Sequence, residues 1–401
     1  MQKRFIIITT ILLSIICINN LKSQTLNEWK KKVVPEFEKR VKKIPVVGAS
    51  LCLVQNGKIT DFKTYGYINK KEQIVNTKET IFNWASITKT LTSVAVMQLR
   101  DQGKLKLDDP VIKHLPEFRW VSTDSIGIPI EQVKIRHLIT HTSGISRGKL
   151  WQYDNYYDAQ DYKPTGWSQV AAILPYCKIV RKPGAKLVYS NFAYVLLGRI
   201  VENVSGDVYV NYINKNIFLP LKMYSAHFGK SPAHLANYKS WSYTKYGKDS
   251  TFKVIQPEHN RGAYNPAGGF YSNILDLVKY ANFLCGVGNA QDRQNFNLVL
   301  KSKSLKEMFS PQIKIIDSQG QRLDMTLSFY SFKYNNKDIL YKDGNQFGFR
   351  SYLYFDTSTN TSAIIVFNTK SKKIDQHFMR LSQYDINARF FHFYKAKKGK
   401  K

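Results

Sequence analysis

Acidic residues are scarce in this 401-residue chain: 29 Asp and Glu stand against 60 Lys and Arg, for a formal net charge of +31. Cysteine is scarcer still, four in all with no C-x-x-C pair, which excludes a disulfide-stapled scaffold. The one strongly apolar run at the start, Phe5–Ile18, has 14 residues, short of the roughly 20 that a membrane-crossing helix needs. No internal repeat, Walker loop, dinucleotide fingerprint or calcium loop occurs, so no cofactor is implied. Lysines are scattered along the chain and form no basic helix interleaved with aromatics, so nucleic acid is not an expected partner. What is present is a globular composition, 43% hydrophobic and 13% aromatic. It excludes disordered and collagen-like classes and suffices for one large or two ordinary domains.

Residues 1–23 read as an export leader: Lys3 and Arg4, the apolar run, Asn19–Asn20, then the small Ser23. Cys17 follows Ile16 where a lipoprotein site has a small residue, so lipidation is not expected. Loss of Lys3, Arg4 and Lys22 leaves a charge of +28. The expected location is periplasmic or secreted, and an anionic cell-envelope surface is a candidate partner. Three cysteines remain (Cys52, Cys177 and Cys285), an odd number that prevents complete internal pairing.

Leu26, Trp29, Val33, Phe37 and Val41 recur at helical spacing, which predicts an amphipathic helix packed on the core with its lysines in solvent. Strand-like runs at 46–55 and 58–67 flank Asn56–Gly57, a two-residue hairpin signal. Texture is mainly helical from about 80 to 310. Strand texture returns at 325–334, 338–343, 349–355 and 362–368, and a helix over 372–394 is predicted after it. Strands at both ends with helices between predict an α/β fold: an antiparallel sheet flanked by terminal helices, with an inserted all-helical region. The catalytic domain then covers 24–396, with its sheet part at about 24–70 and 320–396 and its mainly helical part at about 71–319. Residues 397–401 form a basic tail.

Residues 82–90 read FNWASITKT, and Lys89 is the only charge between Ala85 and Leu99. So uncharged a helix is buried on most sides, and a buried lysine needs partners or loses its proton. Ser86 lies one helical turn earlier on the same face. A neutral lysine within reach of a serine hydroxyl is a known way to activate a nucleophile. Ser146, Ser242 and Ser250 also precede a lysine by three, but only Ser86 does so on a predicted buried helix.

Around these residues the chain resembles the serine β-lactamase and penicillin-binding protein superfamily, in its class C β-lactamase-like branch. Further landmarks appear in that family's order: KLKLDDPVIKHLPEF (104–118), IRHLITHTSGI (135–145), PGAKLVYSNFAYVLLGRIVENVSG (183–206), FLPLKM (218–223), NPAGGFYSN (265–273) and YKDGNQFGFRS (341–351). The resemblance implies catalytic roles for Ser86, Lys89 and Tyr189 of the Tyr189-Ser190-Asn191 motif. It implies substrate contacts for Asn191, Lys342, Gly344 and Asn345. The Ser86 and Asn345 amides would form the oxyanion hole, and Lys342 suits a substrate carboxylate. Tyr271-Ser272-Asn273 matches the tyrosine motif in spelling, but Tyr189 opens an apolar helix as the family motif does. Asp343 departs from the hydroxyl residue usual in β-lactamases; it opposes a carboxylate unless its side chain faces away from Lys342.

The function implied is an exported serine hydrolase cleaving a small-molecule or peptide substrate, a D-amino-acid peptide or β-lactam amide being preferred to a carboxylic ester. A carboxylesterase of the same fold and a non-catalytic cell-wall-binding protein are the alternatives. Other signals are discounted. Gly144-Ile145-Ser146-Arg147-Gly148 spells a nucleophile elbow but lacks the flanking strand and helix. His137 and His141 are four apart without the glutamate or third ligand of a metal site, so no metal is expected and both read as structural. Trp151, Tyr153, Tyr156, Tyr157 and Tyr162 form either a cleft wall or a packed loop.

Overall fold

Asn56 and Gly57 turn the chain with φ of +49° and +79°, the left-handed pair that a tight two-residue hairpin requires. The strands they join, Gly48–Gln55 and Lys58–Asn69, pair antiparallel with Gln55 opposite Lys58. In the computed structural model, residues 34–123, 127–146, 165–245, 251–255, 261–316, 322–334 and 337–371 are described. The leader expected at 1–23, residues 24–33 of the expected N-terminal helix, the aromatic stretch at 151–162, the helix expected at 372–394 and the basic tail lie outside them.

The hairpin does not stand alone. Strand Gly48–Gln55 pairs on its other side with Thr361–Phe367, Leu51 opposite Ile365. The sheet runs on through Phe349–Asp356, Lys337–Gln346, Tyr330–Tyr334, Arg322–Met325 and Ile313–Ile316, nine antiparallel strands among the described residues with Ile74–Val75 at the opposite edge. The edge strand Ile313–Ile316 lies in the stretch read as helical. The run expected at 325–334 is instead two strands: Ser328 takes φ +95° and Thr326 N–H donates to the Phe329 carbonyl. No glycine or asparagine marks this turn. Tyr194 O–H, which donates to Ser328 Oγ at 3.1 Å, holds it from outside.

Side chains alternate across the sheet and both faces are covered. On one face Leu51, Leu53, Tyr352, Tyr354, Ala363, Ile365 and Phe367 meet Val34, Phe37, Val41 and Ile44 of the N-terminal helical segment at 34–43 and the turn after it. The described part of that helix therefore packs on the core. On the other face Cys52, Val54, Leu353, Phe355, Ile364 and Val366 join the larger core around helices Thr88–Asp101, Asn191–Ser205 and Ile274–Cys285. The region between the sheet segments is helical at its centre but not throughout. Ile81–Asn83, Phe270–Asn273 and His227–Phe228 form a small sheet, and Ser242–Lys245 pairs with Lys253–Ile255 and, in parallel, with Thr369–Ser371. Such short strands carry too few residues for alternation to show in sequence. Among the described residues no helix is long and apolar enough to cross a membrane. The free thiols of Cys52 and Cys177 are buried.

Ile365→Ala should cost about 2–5 kcal/mol in urea unfolding through the cavity left between sheet and N-terminal helix. A loss within about 0.5 kcal/mol, typical of exposed sites, would mean that this helix does not cover the sheet.

Candidate active site

The turn that presents Ser86 is strained and strapped. Ala85 takes φ +50°, a left-handed conformation costly for a residue with a Cβ. Its N–H donates to Asn83 Oδ1 at 2.9 Å, and its carbonyl accepts from Thr88 Oγ1 at 2.6 Å. Ser351 Oγ donates to the Trp84 carbonyl at 3.0 Å, and Trp84 Nε1 donates to Ser272 Oγ at 2.8 Å. These bonds, all buried, hold a single 3₁₀ turn, Ala85–Ile87, at the head of helix Thr88–Asp101, with Ser86 half-exposed.

Two groups converge on the serine oxygen. Lys89 Nζ donates to Ser86 Oγ at 3.1 Å and to the Ala267 carbonyl at 2.5 Å. Tyr189 O–H donates to the same Oγ at 2.8 Å. Tyr189 directly precedes Ser190, whose Oγ caps helix Asn191–Ser205 by accepting from Ala193 N–H at 3.1 Å. Asn191 begins that helix, half-buried. Tyr271, the rival in spelling, lies in the strand Phe270–Asn273 with its ring stacked on His227. Ser146 ends the two-residue strand Ile145–Ser146, paired with Lys178; Arg147 and Gly148 lie outside the described residues.

The charge state follows from burial. Lys89 is fully buried; desolvation first, then the cations Lys342 and Arg261, push its pKa well below the ordinary lysine value. Desolvation likewise drives the Tyr189 phenol well above its ordinary value, against the hydrogen bond to Ser86. Burial therefore favours the neutral form of both groups around this hydroxyl.

Strand Lys337–Gln346 supplies the remaining predicted residues. Gly344 needs to be glycine: a Cβ there would lie 2.4 Å from the Trp84 carbonyl oxygen and 2.4 Å from Ser351 Oγ. Its absence lets the strand press against the Ser86 turn and brings the partly exposed Asn345 alongside. Lys342, 1% exposed, sends its Nζ over the rings of Tyr330 (5.0 Å) and Tyr189 (5.5 Å). Among the described residues this Nζ has no hydrogen-bond partner, and desolvation lowers its pKa to about 8. Asp343 does not occupy that role. Its Oδ2 accepts from Arg350 Nη1 at 2.7 Å, and Arg350 also donates to the Gly344 carbonyl at 3.1 Å. Burial raises the Asp343 pKa, but Arg350 and then Lys342 outweigh it and hold the carboxyl below its usual range. The anion that set this sequence apart is thus matched by an arginine on the neighbouring strand.

Sequence reasoning missed three contributors. The Ala267 carbonyl holding Lys89 belongs to the NPAGG string, which shows no side-chain chemistry. Arg261 acts on Lys89 through space. Arg350 neutralises Asp343 from the paired strand, where register alone brings it close. His137 helps cap the short helix Ile135–Ile139 through Nδ1, which accepts from Lys134 N–H at 3.2 Å. Among the described residues no cluster of metal-ligating side chains occurs.

This is the architecture of the β-lactamase fold, with the Ser86 turn seated between a large antiparallel sheet and a helical region. Residues 36–382 match the Beta-lactamase family model, and the chain belongs to that family. The protein flp of Staphylococcus aureus (strain N315) is 25% identical over 361 residues, 90% of this chain and 67% of that protein. An octameric penicillin-binding protein homologue from Pyrococcus abyssi superposes with a TM-score of 0.70 at 23% identity, covering 89% of this chain and 77% of the other. A class C β-lactamase gives 0.69 at 22% identity over 94% and 98%. A D-stereospecific amidohydrolase from Streptomyces sp. gives 0.65 at 22% identity over 84% and 94%.

Lys342 keeps a buried charge without a hydrogen-bond partner among the described residues, at a cost. Lys342→Met should raise stability by roughly 1–3 kcal/mol in denaturant at pH 7, since a depression from 10.5 to about 8 reflects charge held against desolvation. A loss of stability would mean that the ammonium has a partner in solution.

Proposed function

We propose that the chain is a serine hydrolase acting through an acyl-enzyme on Ser86, on substrates that carry a carboxylate near the scissile amide or ester. The observation that carries this reading is the convergence of Lys89 Nζ and Tyr189 O–H on Ser86 Oγ, where burial favours the neutral amine. The Ser86 hydroxyl hydrogen rotates toward Nζ, and Lys89 takes the proton as Oγ attacks the substrate carbonyl carbon. The Ser86 and Asn345 amides receive the developing oxyanion. Tyr189 donates its phenol proton to the leaving nitrogen or oxygen as its bond to the carbonyl carbon breaks, and takes in turn the proton that Lys89 received from Ser86. Water then repeats the sequence in reverse and releases Ser86. Asn191 and Lys342 position the substrate.

A buried ammonium without a hydrogen-bond partner among the described residues supports a carboxylate-bearing substrate, because the pairing recovers what burial costs. D-amino-acid peptides and β-lactams combine an amide with such a carboxylate, and they are the substrates preferred here over simple esters. The amidohydrolase and the β-lactamase that share the fold support the same choice. Residues 1–23 support export, to the periplasm or beyond the cell.

Intact-mass measurement and peptide mapping after exposure to a penicillin, and separately to a small activated ester, test the nucleophile. An acyl adduct on the Ser86 peptide, absent from Ser86→Ala, is expected, with turnover in that variant reduced by at least about 1,000-fold. An adduct on Ser146 would overturn the mechanism; ligand retention without any Ser86-dependent turnover would point to a binding protein.

The pH dependence separates the two lysines. Lys89 must be neutral, so kcat/KM falls as pH drops through its lowered pKa. Lys342 must be charged to hold a carboxylate, so kcat/KM for such substrates falls again as pH rises past about 8. An uncharged ester should keep the acid limb and lack the limb near 8. Identical profiles for both substrates would remove Lys342 from carboxylate recognition.

A further inference from the structure

His141 takes φ +59°, a left-handed backbone that a non-glycine residue keeps only when its surroundings impose it. It follows the short helix Ile135–Ile139 and begins a segment that lies along the approach to Tyr189. Val180 N–H donates to the Gly144 carbonyl at 3.0 Å, Gly184 N–H to Thr142 at 2.8 Å, and Val188 N–H to His141 at 2.8 Å. The His141 ring continues this zipper past the tyrosine: Nδ1 accepts from Ser190 N–H at 3.1 Å. Between those two bonds the ring packs on the Tyr189 ring, centroids 4.3 Å apart and tilted by 35°. One residue thus grips the backbone before and after Tyr189 and covers one face of its phenol.

We propose that His141 is the positioning residue of the site, which fixes the Tyr189 hydroxyl on Ser86 Oγ for proton delivery to the leaving group. This rests on the hydrolase reading above. A hydrogen bond accepted at Nδ1 requires a neutral imidazole with its hydrogen on Nε2. The groups around it favour that form. Burial first, and then the nearby Lys342 cation, push its pKa well below the ordinary histidine value, and the Tyr189 and Tyr194 rings pack against it. Nε2 is itself buried and has no partner among the described residues. An apolar ring would fill this space without that unmet donor, but it would lose the grip on Ser190.

Two variants tolerate the backbone and divide the roles. His141→Gly removes ring and acceptor; His141→Asn places Oδ1 where Nδ1 accepts from Ser190. The readout is kcat/KM, which reports acylation alone, on the p-nitrophenyl and ethyl esters of one acid, with Ser86→Ala as blank and thermal melts as the check on folding. A nitrophenolate leaves without a proton, whereas an alkoxide needs one. His141→Gly should lose about 100-fold on the ethyl ester and under about 10-fold on the nitrophenyl ester. His141→Asn should stay within about 10-fold of the parent on both and restore the parental ratio. Equal losses on the two esters in His141→Gly would reduce His141 to packing and overturn the inference. If the glycine variant does not melt cooperatively, His141→Asn decides: a parental ratio supports the role, and a skewed one overturns it. Absence of Ser86-dependent turnover in the parent is a different result, which defeats the hydrolase reading itself.

Discussion

The site depends on keeping an amine uncharged inside protein. Lys89 sits where water cannot reach it, between the serine oxygen and the Ala267 carbonyl, with two further cations at longer range. Desolvation and like charge act in the same direction, both favouring the free base over the ammonium ion. The surrounding structure sustains that condition. Thr92 Oγ1 donates to the Pro266 carbonyl at 2.7 Å, and Gln346 Nε2 to the Gly268 carbonyl at 3.1 Å. These bonds tie the segment that offers the Ala267 carbonyl to the nucleophile helix on one side and to the sheet on the other.

A second constraint is the closeness of strand and turn. Gly344 leaves no side chain between the strand Lys337–Gln346 and the backbone of Trp84, so groups from distant parts of the chain meet with little room for water. Lys342 and Asp343 are neighbours in sequence but separate in effect. The strand sends one toward Tyr189 and lets the other meet Arg350. A sheet therefore resolves what looked like a conflict of charge in one dimension.

Much of this was legible because periodicity and burial leave marks in sequence. The hairpin at Asn56–Gly57, the uncharged helix around Lys89 and the spacing of Ser86 to Lys89 each have a local cause, and each appears where the sequence implies it. Tyr189 was separable from Tyr271 by the apolar helix that follows it. What stayed hidden depends on tertiary placement. The Ala267 carbonyl has no side-chain signature. Arg350 reaches Asp343 only through strand register, and the split near Ser328 arises from contact with Tyr194. His141 read as structural because its neighbours in the chain are not its neighbours in space.

The order of strands also bears on how the molecule comes to be built. Gly48–Gln55 lies between Lys58–Asn69 and Thr361–Phe367 in the sheet, so its inner edge stays open until nearly the whole chain has been made. Closing a loop of that length before any contact rewards it makes for slow, non-local folding. Until then Leu51, Cys52 and Leu53 have no cover on that side, which invites pairing with the wrong edge. The sheet that bears Lys342 is thus completed only when Gly48–Gln55 pairs with Thr361–Phe367, two segments from near the opposite ends of the described residues.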